Sequence, residues 1–217
     1  MKVEVKGLVK TIKGATVLDG IDLALEGGRV YGLRGKNGSG KTMLMRAMAG
    51  LIRPTAGEVV IDGHPLAPGE FPPSVGIMIE NPAFIGKYTG FRNLKYLAGI
   101  RNEIDDAKIE RTLEEVGLDP HDRRTYKKYS LGMKQRLGIA CAVMEDPDLL
   151  LLDEPINALD PAGVEMVQRL VARQKERGAL VVVACHDAEE LDDLADVIYL
   201  MAEGRIVGCE DGGGDAA

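Results

Sequence analysis

Two stretches of the chain combine residue types suited to holding and attacking a phosphate chain. The first is Gly35-Lys36-Asn37-Gly38-Ser39-Gly40-Lys41-Thr42, which follows the apolar run Val30–Leu33 and opens a helical pattern. Glycines let the backbone curl so that successive N–H groups point inward at phosphate oxygens. The helix N-terminus adds the positive end of its dipole. Lys41 supplies a point charge for the β- and γ-phosphates, the Thr42 hydroxyl suits Mg²⁺, and Met43 closes the set of candidate phosphate-binding residues. A glycine-rich turn can match this spacing by accident, and the chain holds 27 glycines in 217 residues. The strand–loop–helix setting favours the phosphate reading.

The second stretch, Leu149-Leu150-Leu151-Leu152-Asp153-Glu154, is an apolar strand ending in two acids. Carboxylates at the C-terminal edge of a buried strand stand where α/β folds bind ligands. Asp153 suits Mg²⁺ coordination, and Glu154 suits a general base that takes a proton from water. An exposed acidic turn is the plainer alternative. His186 ends the strand pattern LVVVAC; it is either a satisfied structural histidine or a partner for the γ-phosphate or the attacking water. Tyr129-Ser130-Leu131-Gly132-Met133-Lys134-Gln135-Arg136 reads as a serine-capped helix start with a glycine permitting close approach. It is either an ordinary capped helix or a second anion site.

These residues need a scaffold. Val3 and Val5, then Ile21, Leu23 and Leu25, alternate with polar residues as half-buried strands do. A helix is expected from Lys41, bracketed by Gly50 and Pro54, followed by strands at Val59–Ile61 and Val75–Ile79. From Lys87 onward a 3.6-residue period takes over, with Phe91, Leu94 and Leu97 on one face and Ile109, Leu113 and Val116 on another. The last third alternates: strand Leu149–Leu152, a helix from Pro161 to about Arg177, strand Leu180–Ala184, a helix near Glu189–Ala195, strand Val197–Met201, and a final short strand after the Glu203–Gly204 turn. Such alternation implies α/β architecture with a parallel sheet.

Composition sets outer bounds. Apolar residues at 45% with 28% charged describe a globular chain,. A net charge of −7 argues against a nucleic-acid partner,. Cys141, Cys185 and Cys209 form no paired spacing, which fits a reducing, cytoplasmic compartment. The N-terminus lacks the apolar core of a signal peptide. No apolar run approaches the ~20 residues of a membrane span.

Taken in order, the motifs resemble the nucleotide-binding subunit of an ABC transporter. GKNGSGKT resembles Walker A, YSLGMKQR the LSGGQ-type signature, LLLLDEP Walker B, Asn157–Asp160 the D-loop, and His186 the switch histidine. The resemblance implies a P-loop NTPase of ABC type: a mixed-sheet core lobe (1–86 and 130–208), an N-terminal antiparallel β subdomain, a helical insert (87–129) and a disordered tail (209–217), together forming a single domain. It implies ATP and Mg²⁺ as cofactors, with Gly35 to Met43 holding phosphate, Thr42, Glu80 and Asp153 at the metal, and Glu154 and His186 catalytic. It further implies two subunits packed head to tail, expected as identical copies, each ATP being completed by Ser130 and Gly132 of the partner subunit. Closure would drive a transmembrane permease from the cytoplasmic face of the membrane.

Several positions depart from the family pattern. Tyr129, Leu131 and Met133 replace Leu, Gly and Gln of the signature, while Ser130 and the second glycine remain. The Q-loop position holds Glu80, a carboxylate that would meet Mg²⁺ more strongly than an amide. Ile12 stands where an aromatic stacks on adenine, which weakens base stacking and discrimination between ATP and GTP. Ile79–Phe84 and Tyr129–Ala140 resemble bacitracin- and lantibiotic-type export ATPases. Phe84, Tyr88 and Phe91 are expected either in the core or on the permease-docking face. A soluble ABC ATPase acting on DNA or the ribosome is the alternative, but this chain has one cassette and no heptad run.

Overall fold

The computed structural model describes residues 1–80, 83–186 and 191–213. Strands β1 (Lys2–Ile12), β2 (Ala15–Glu26) and β3 (Arg29–Arg34) lead into helix α1 (Lys41–Met48). Strands β4 (Ala56–Ile61), β5 (His64–Pro65) and β6 (Val75–Met78) follow, then helices α2 (Gly90–Arg101), α3 (Asp106–Glu115) and α4 (Leu131–Val143). Strand β7 (Leu149–Asp153), helix α5 (Pro161–Glu176) and strands β8 (Leu180–Cys185), β9 (Val197–Ala202) and β10 (Arg205–Asp211) complete the described chain.

Among the described residues the strands form two sheets. The first, in order β2-β1-β4-β5, is antiparallel. Its β1–β2 hairpin turns at Lys13 and Gly14, both at positive φ, the conformation that matches strand twist,. The second has the order β10-β9-β3-β8-β7-β6; it is parallel from β9 to β6 and carries β10 as an antiparallel edge. The parallel part is what the alternation of elements implies, and the mixed sheet as a whole is what the family resemblance implies.

Alternation along the central strands divides two cores. Leu149 and Leu151 face the core shared with α1 and the antiparallel sheet, whereas Leu150 and Leu152 face the core shared with α2 to α5. A strand buried on both faces must be apolar at every position, and β7 and β8 are,. The predicted apolar faces of the insert reach the second core: Leu94, Ile109, Leu113 and Val116 are buried there, with Phe91 and Leu97 packed against it. The helix predicted after Pro161 begins with that proline in its first turn and Asp160 as its cap, accepting from the Gly163 N–H at 3.0 Å,.

One expectation needs adjustment. Instead of a disordered tail from Cys209, β10 continues to Asp211, with Cys209 opposite Tyr199 and Asp211 opposite Val197. The Gly212 and Gly213 N–H groups then donate to the carbonyls of Asp196 and Asp192. Backbone pairing along the β9 edge orders this segment despite its lack of apolar side chains. Residues 214–217 lie outside the described residues, as do residues 187–190 of the helix expected near Glu189–Ala195.

Candidate active site

The loop between β3 and α1 has the geometry of an anion cradle. Gly38 and Gly40 have φ of 82° and 107°, conformations that side-chain-bearing residues rarely adopt,. Gly35 is required for a different reason: a Cβ there would stand 2.3 Å from the Met201 carbonyl oxygen and 2.6 Å from Ser39 Oγ. No side chain caps the N-terminus of α1, so its first N–H groups remain available to a ligand. Ser39 Oγ is buried without a hydrogen-bond partner among the described residues. An orphaned buried hydroxyl beside an uncapped helix start fits an absent anion.

Lys41 is 5% exposed. Its ammonium donates to the Gly35 carbonyl at 2.6 Å and to that of Lys36 at 3.4 Å, folding back over the loop it would serve. Thr42 joins the two chemical stretches, its hydroxyl donating to Asp153 Oδ2 at 2.7 Å. Burial, with Glu154 and Glu80 adding like charge, raises the Asp153 carboxyl above its ordinary value against the opposing pull of Thr42 and Lys41. A hydroxyl and a desolvated carboxylate are hard oxygen donors suited to a Mg²⁺ that keeps several waters.

Glu154 follows directly, with φ of 50°. Its N–H donates to the Ala184 carbonyl at 2.8 Å, and its Oε2 lies 2.8 Å from His186 Nδ1. Parallel pairing explains the meeting: β7 and β8 register Asp153 with Ala184, so the residues that follow fall side by side. Glu80, at φ 59°, pairs with Arg46 at 2.7 Å. A cavity of about 460 Å³ is lined by Val17, Asn37 to Met43, Glu80, Gln135, Asp153, Glu154 and Asn157.

Most of the expected site residues thus converge, but Ser130 and Gly132 do not line this cavity. Ser130 caps α4 by accepting from the Met133 N–H at 3.2 Å. Tyr129, a departure from the family pattern, ties the insert to the start of the signature helix, because its buried hydroxyl accepts from the Gly90 N–H at the start of α2. Leu131 is exposed, while Met133 packs on the core. Ile12 is also exposed and is not a cavity residue. Phe84 and Phe91 pack against the core, whereas Tyr88 carries the Arg92 guanidinium 4.0 Å over its ring.

Sequence reasoning gave no role to Arg46 or Val17, and it placed Gln135 and Asn157 only within the signature and D-loop stretches without a role of their own. Gln135 donates to the carbonyls of Glu154 at 2.8 Å and Pro155 at 3.0 Å, holding the turn that presents the acid. Its signal was a polar residue one turn into a helix whose other inward positions are apolar.

Comparison with known proteins settles the family. A family model for the ABC transporter matches residues 18–157. An uncharacterized ABC transporter ATP-binding protein of Bacillus subtilis, YybJ, is 46% identical over 94% of both chains. The chain belongs to the ABC transporter family. The bacitracin transport ATP-binding protein BcrA of Enterococcus faecalis is 40% identical over 94% of this chain and 68% of its own length. The lantibiotic transport ATP-binding protein SrtF of Streptococcus pyogenes is 33% identical over 94% of this chain and 88% of its own. Among solved structures, an ATP-binding subunit of an ABC transporter superposes with a TM-score of 0.87 at 27% identity, covering 97% of this chain and 90% of that one. This ABC ATP-binding subunit is therefore an ATPase of the transporter class and not of the DNA- or ribosome-acting alternative. No helix among the described residues is long and apolar enough to cross a membrane.

Proposed function

We propose that this ABC ATPase hydrolyses Mg²⁺-bound ATP at the β3–α1 loop and works as a head-to-tail homodimer on the cytoplasmic face of the membrane, driving a permease that exports an antibiotic peptide. The carrying observation is the Thr42–Asp153 hydrogen bond with the Glu154–His186 pair beside it. It joins phosphate-binding, metal-binding and proton-accepting groups around one cavity.

Lys41 exchanges its loop carbonyls for phosphate oxygens, and the α1 N–H groups and Ser39 hydroxyl satisfy the remainder. Thr42 and Asp153 would hold the cation, which would supply charge neutralisation along the phosphates. Glu154 accepts the proton of the attacking water. His186 holds the Glu154 carboxylate in place and can turn toward the γ-phosphate. Gln135 keeps the Glu154 backbone fixed while these exchanges occur. Ser130 and Gly132, turned to a surface outside the cavity, suit the nucleotide of a second subunit. The similarity to BcrA and SrtF supports peptide antibiotics as the exported class. The dimeric solved cassette MJ0796, with ADP and phosphate bound, shares the fold at a TM-score of 0.87 and 23% identity.

The test is Glu154→Gln, which keeps the size and backbone of the side chain but removes its basicity. ATP binding should persist, turnover should stop, and light scattering should show an ATP-dependent doubling of mass. Normal turnover in this variant overturns the base assignment; a monomer at saturating ATP overturns the dimer.

A further inference from the structure

Beside the Mg²⁺ oxygens stands a second donor set of different chemistry. Glu154, Cys185 and His186 each offer one ligand atom, and these atoms all lie within 4.8 Å of one another. The strand register is the cause: with Asp153 opposite Ala184, Glu154 and Cys185 are neighbours across the end of the sheet, and His186 follows where β8 ends. Cys185 is wholly buried and Glu154 partly so, while His186 is exposed, so the thiol forms the floor and the imidazole the mouth.

We propose that Glu154, Cys185 and His186 form an inhibitory Zn²⁺ site. Tetrahedral zinc places its ligand atoms about 3.3–3.8 Å apart, given bonds of about 2.0–2.3 Å. A pair at the widest separation would close by about 1–1.5 Å to meet that spacing, and the His186–Glu154 contact of 2.8 Å opens slightly to admit the ion. Water completes the fourth position. On binding, the Cys185 thiol loses its proton to solvent, and His186 coordinates as the neutral ring.

Donor type sorts the two cations. Thiolate and imidazole select zinc over magnesium, whereas Thr42 and Asp153 offer only hard oxygens. Zinc at this position takes the Glu154 carboxylate and the His186 Nδ1 out of service together. Inhibition thus rests on the role of Glu154 given under Proposed function, but binding of the ion does not.

Two readouts separate these claims. Co²⁺ added to the purified full chain should give a sulfur-to-metal charge-transfer band that Zn²⁺ displaces. Cys185→Ala and Cys185→Ser should both lose the band, and Cys209→Ser, altered at an exposed thiol, should keep it. In the second readout, zinc added to the Mg²⁺-ATP reaction should inhibit the wild type, and Cys185→Ala should need at least about tenfold more zinc for the same inhibition. Absence of the band, or its loss in Cys209→Ser alone, overturns the site. Unchanged zinc inhibition in both Cys185 variants overturns the inhibitory role of the site, because zinc would then be replacing magnesium at Thr42 and Asp153. A band that depends on Cys185, in a chain that never turns over ATP, keeps the site and sinks the assigned role of Glu154.

Discussion

Helices α1 and α4 both begin at small residues with glycine nearby, yet their N-termini are finished differently. At α1 the capping position is Gly40, and among the described residues no side chain caps the helix and the preceding, buried Ser39 hydroxyl has no partner. At α4 the Ser130 side chain takes the Met133 N–H for itself. The first end is left incomplete by the fold and calls for a ligand from its own cavity. The second is satisfied without one, and in the proposed head-to-tail dimer it would meet, exposed, the nucleotide carried by another subunit. On the proposed mechanism the two ends would serve two stages, capture and closure, according to how their backbone groups are satisfied.

The contrast can be broken most directly by removing one group from each end. Lys41→Ala should weaken ATP binding about 10- to 100-fold, the loss expected for charged hydrogen bonds. Ser130→Ala in dilute, monomeric protein should leave affinity within about twofold, since a neutral side chain outside the cavity contributes little to capture. Isothermal calorimetry reads both, and equal losses would erase the distinction.

Glycine replacement sharpens the comparison at the level of packing. Gly35→Ala should cost about 1–3 kcal/mol, because the new methyl meets a backbone oxygen that cannot yield. Gly132→Ala meets only the Ala158 carbonyl oxygen at 3.1 Å and gains helix propensity, so its stability should stay within about 1 kcal/mol of wild type. Thermal melts of the two variants test this ordering. Tyr129→Phe, just ahead of the α4 cap, should cost about 1–3 kcal/mol by orphaning the buried Gly90 N–H. Denaturant unfolding measures that loss, and nucleotide affinity should not follow it.

The smallest expected effect has the opposite sign. The Asp153 carboxyl is raised above its ordinary 3.8, first by burial. The folded state therefore holds that proton more tightly than the unfolded chain. Stability is greatest where Asp153 is protonated and falls as pH rises through its raised range. Asp153→Asn can still accept from Thr42 and should melt about 2–4 °C higher at neutral pH, a gain on the order of 1 kcal/mol. The gain should vanish in acid, as scanning calorimetry across pH would show. A destabilised D153N would mean that the carboxylate is already compensated without a cation.

Much of this arrangement was legible because local constraints write themselves into sequence. The loop needs glycines at Gly38 and Gly40 for their positive φ, and a strand covered on both faces needs the unbroken apolar run Leu149–Leu152. The final strand was legible after the Glu203–Gly204 turn, but its continuation to Asp211 was not. Cys209, Glu210 and Asp211 carry no apolar period, and their order comes from backbone pairing with β9, which side-chain pattern does not record. Gln135 and Arg46 were missed for a related reason: each acts across a long chain separation, on Glu154 and Glu80, and neither belongs to a spacing that signals chemistry.

The sequence by itself determined the phosphate loop, the acidic strand end and the capped second helix, because each depends on residues within a few positions of one another. Tertiary structure decided what lies beside what. Parallel register between β7 and β8 brought Glu154 against Cys185 and His186, and the packing of α4 sent Gln135 into the cavity while keeping Ser130 out. Such neighbours are joined through space by sheet pairing and core burial, forces that act on the folded chain as a whole and leave no fixed spacing to read.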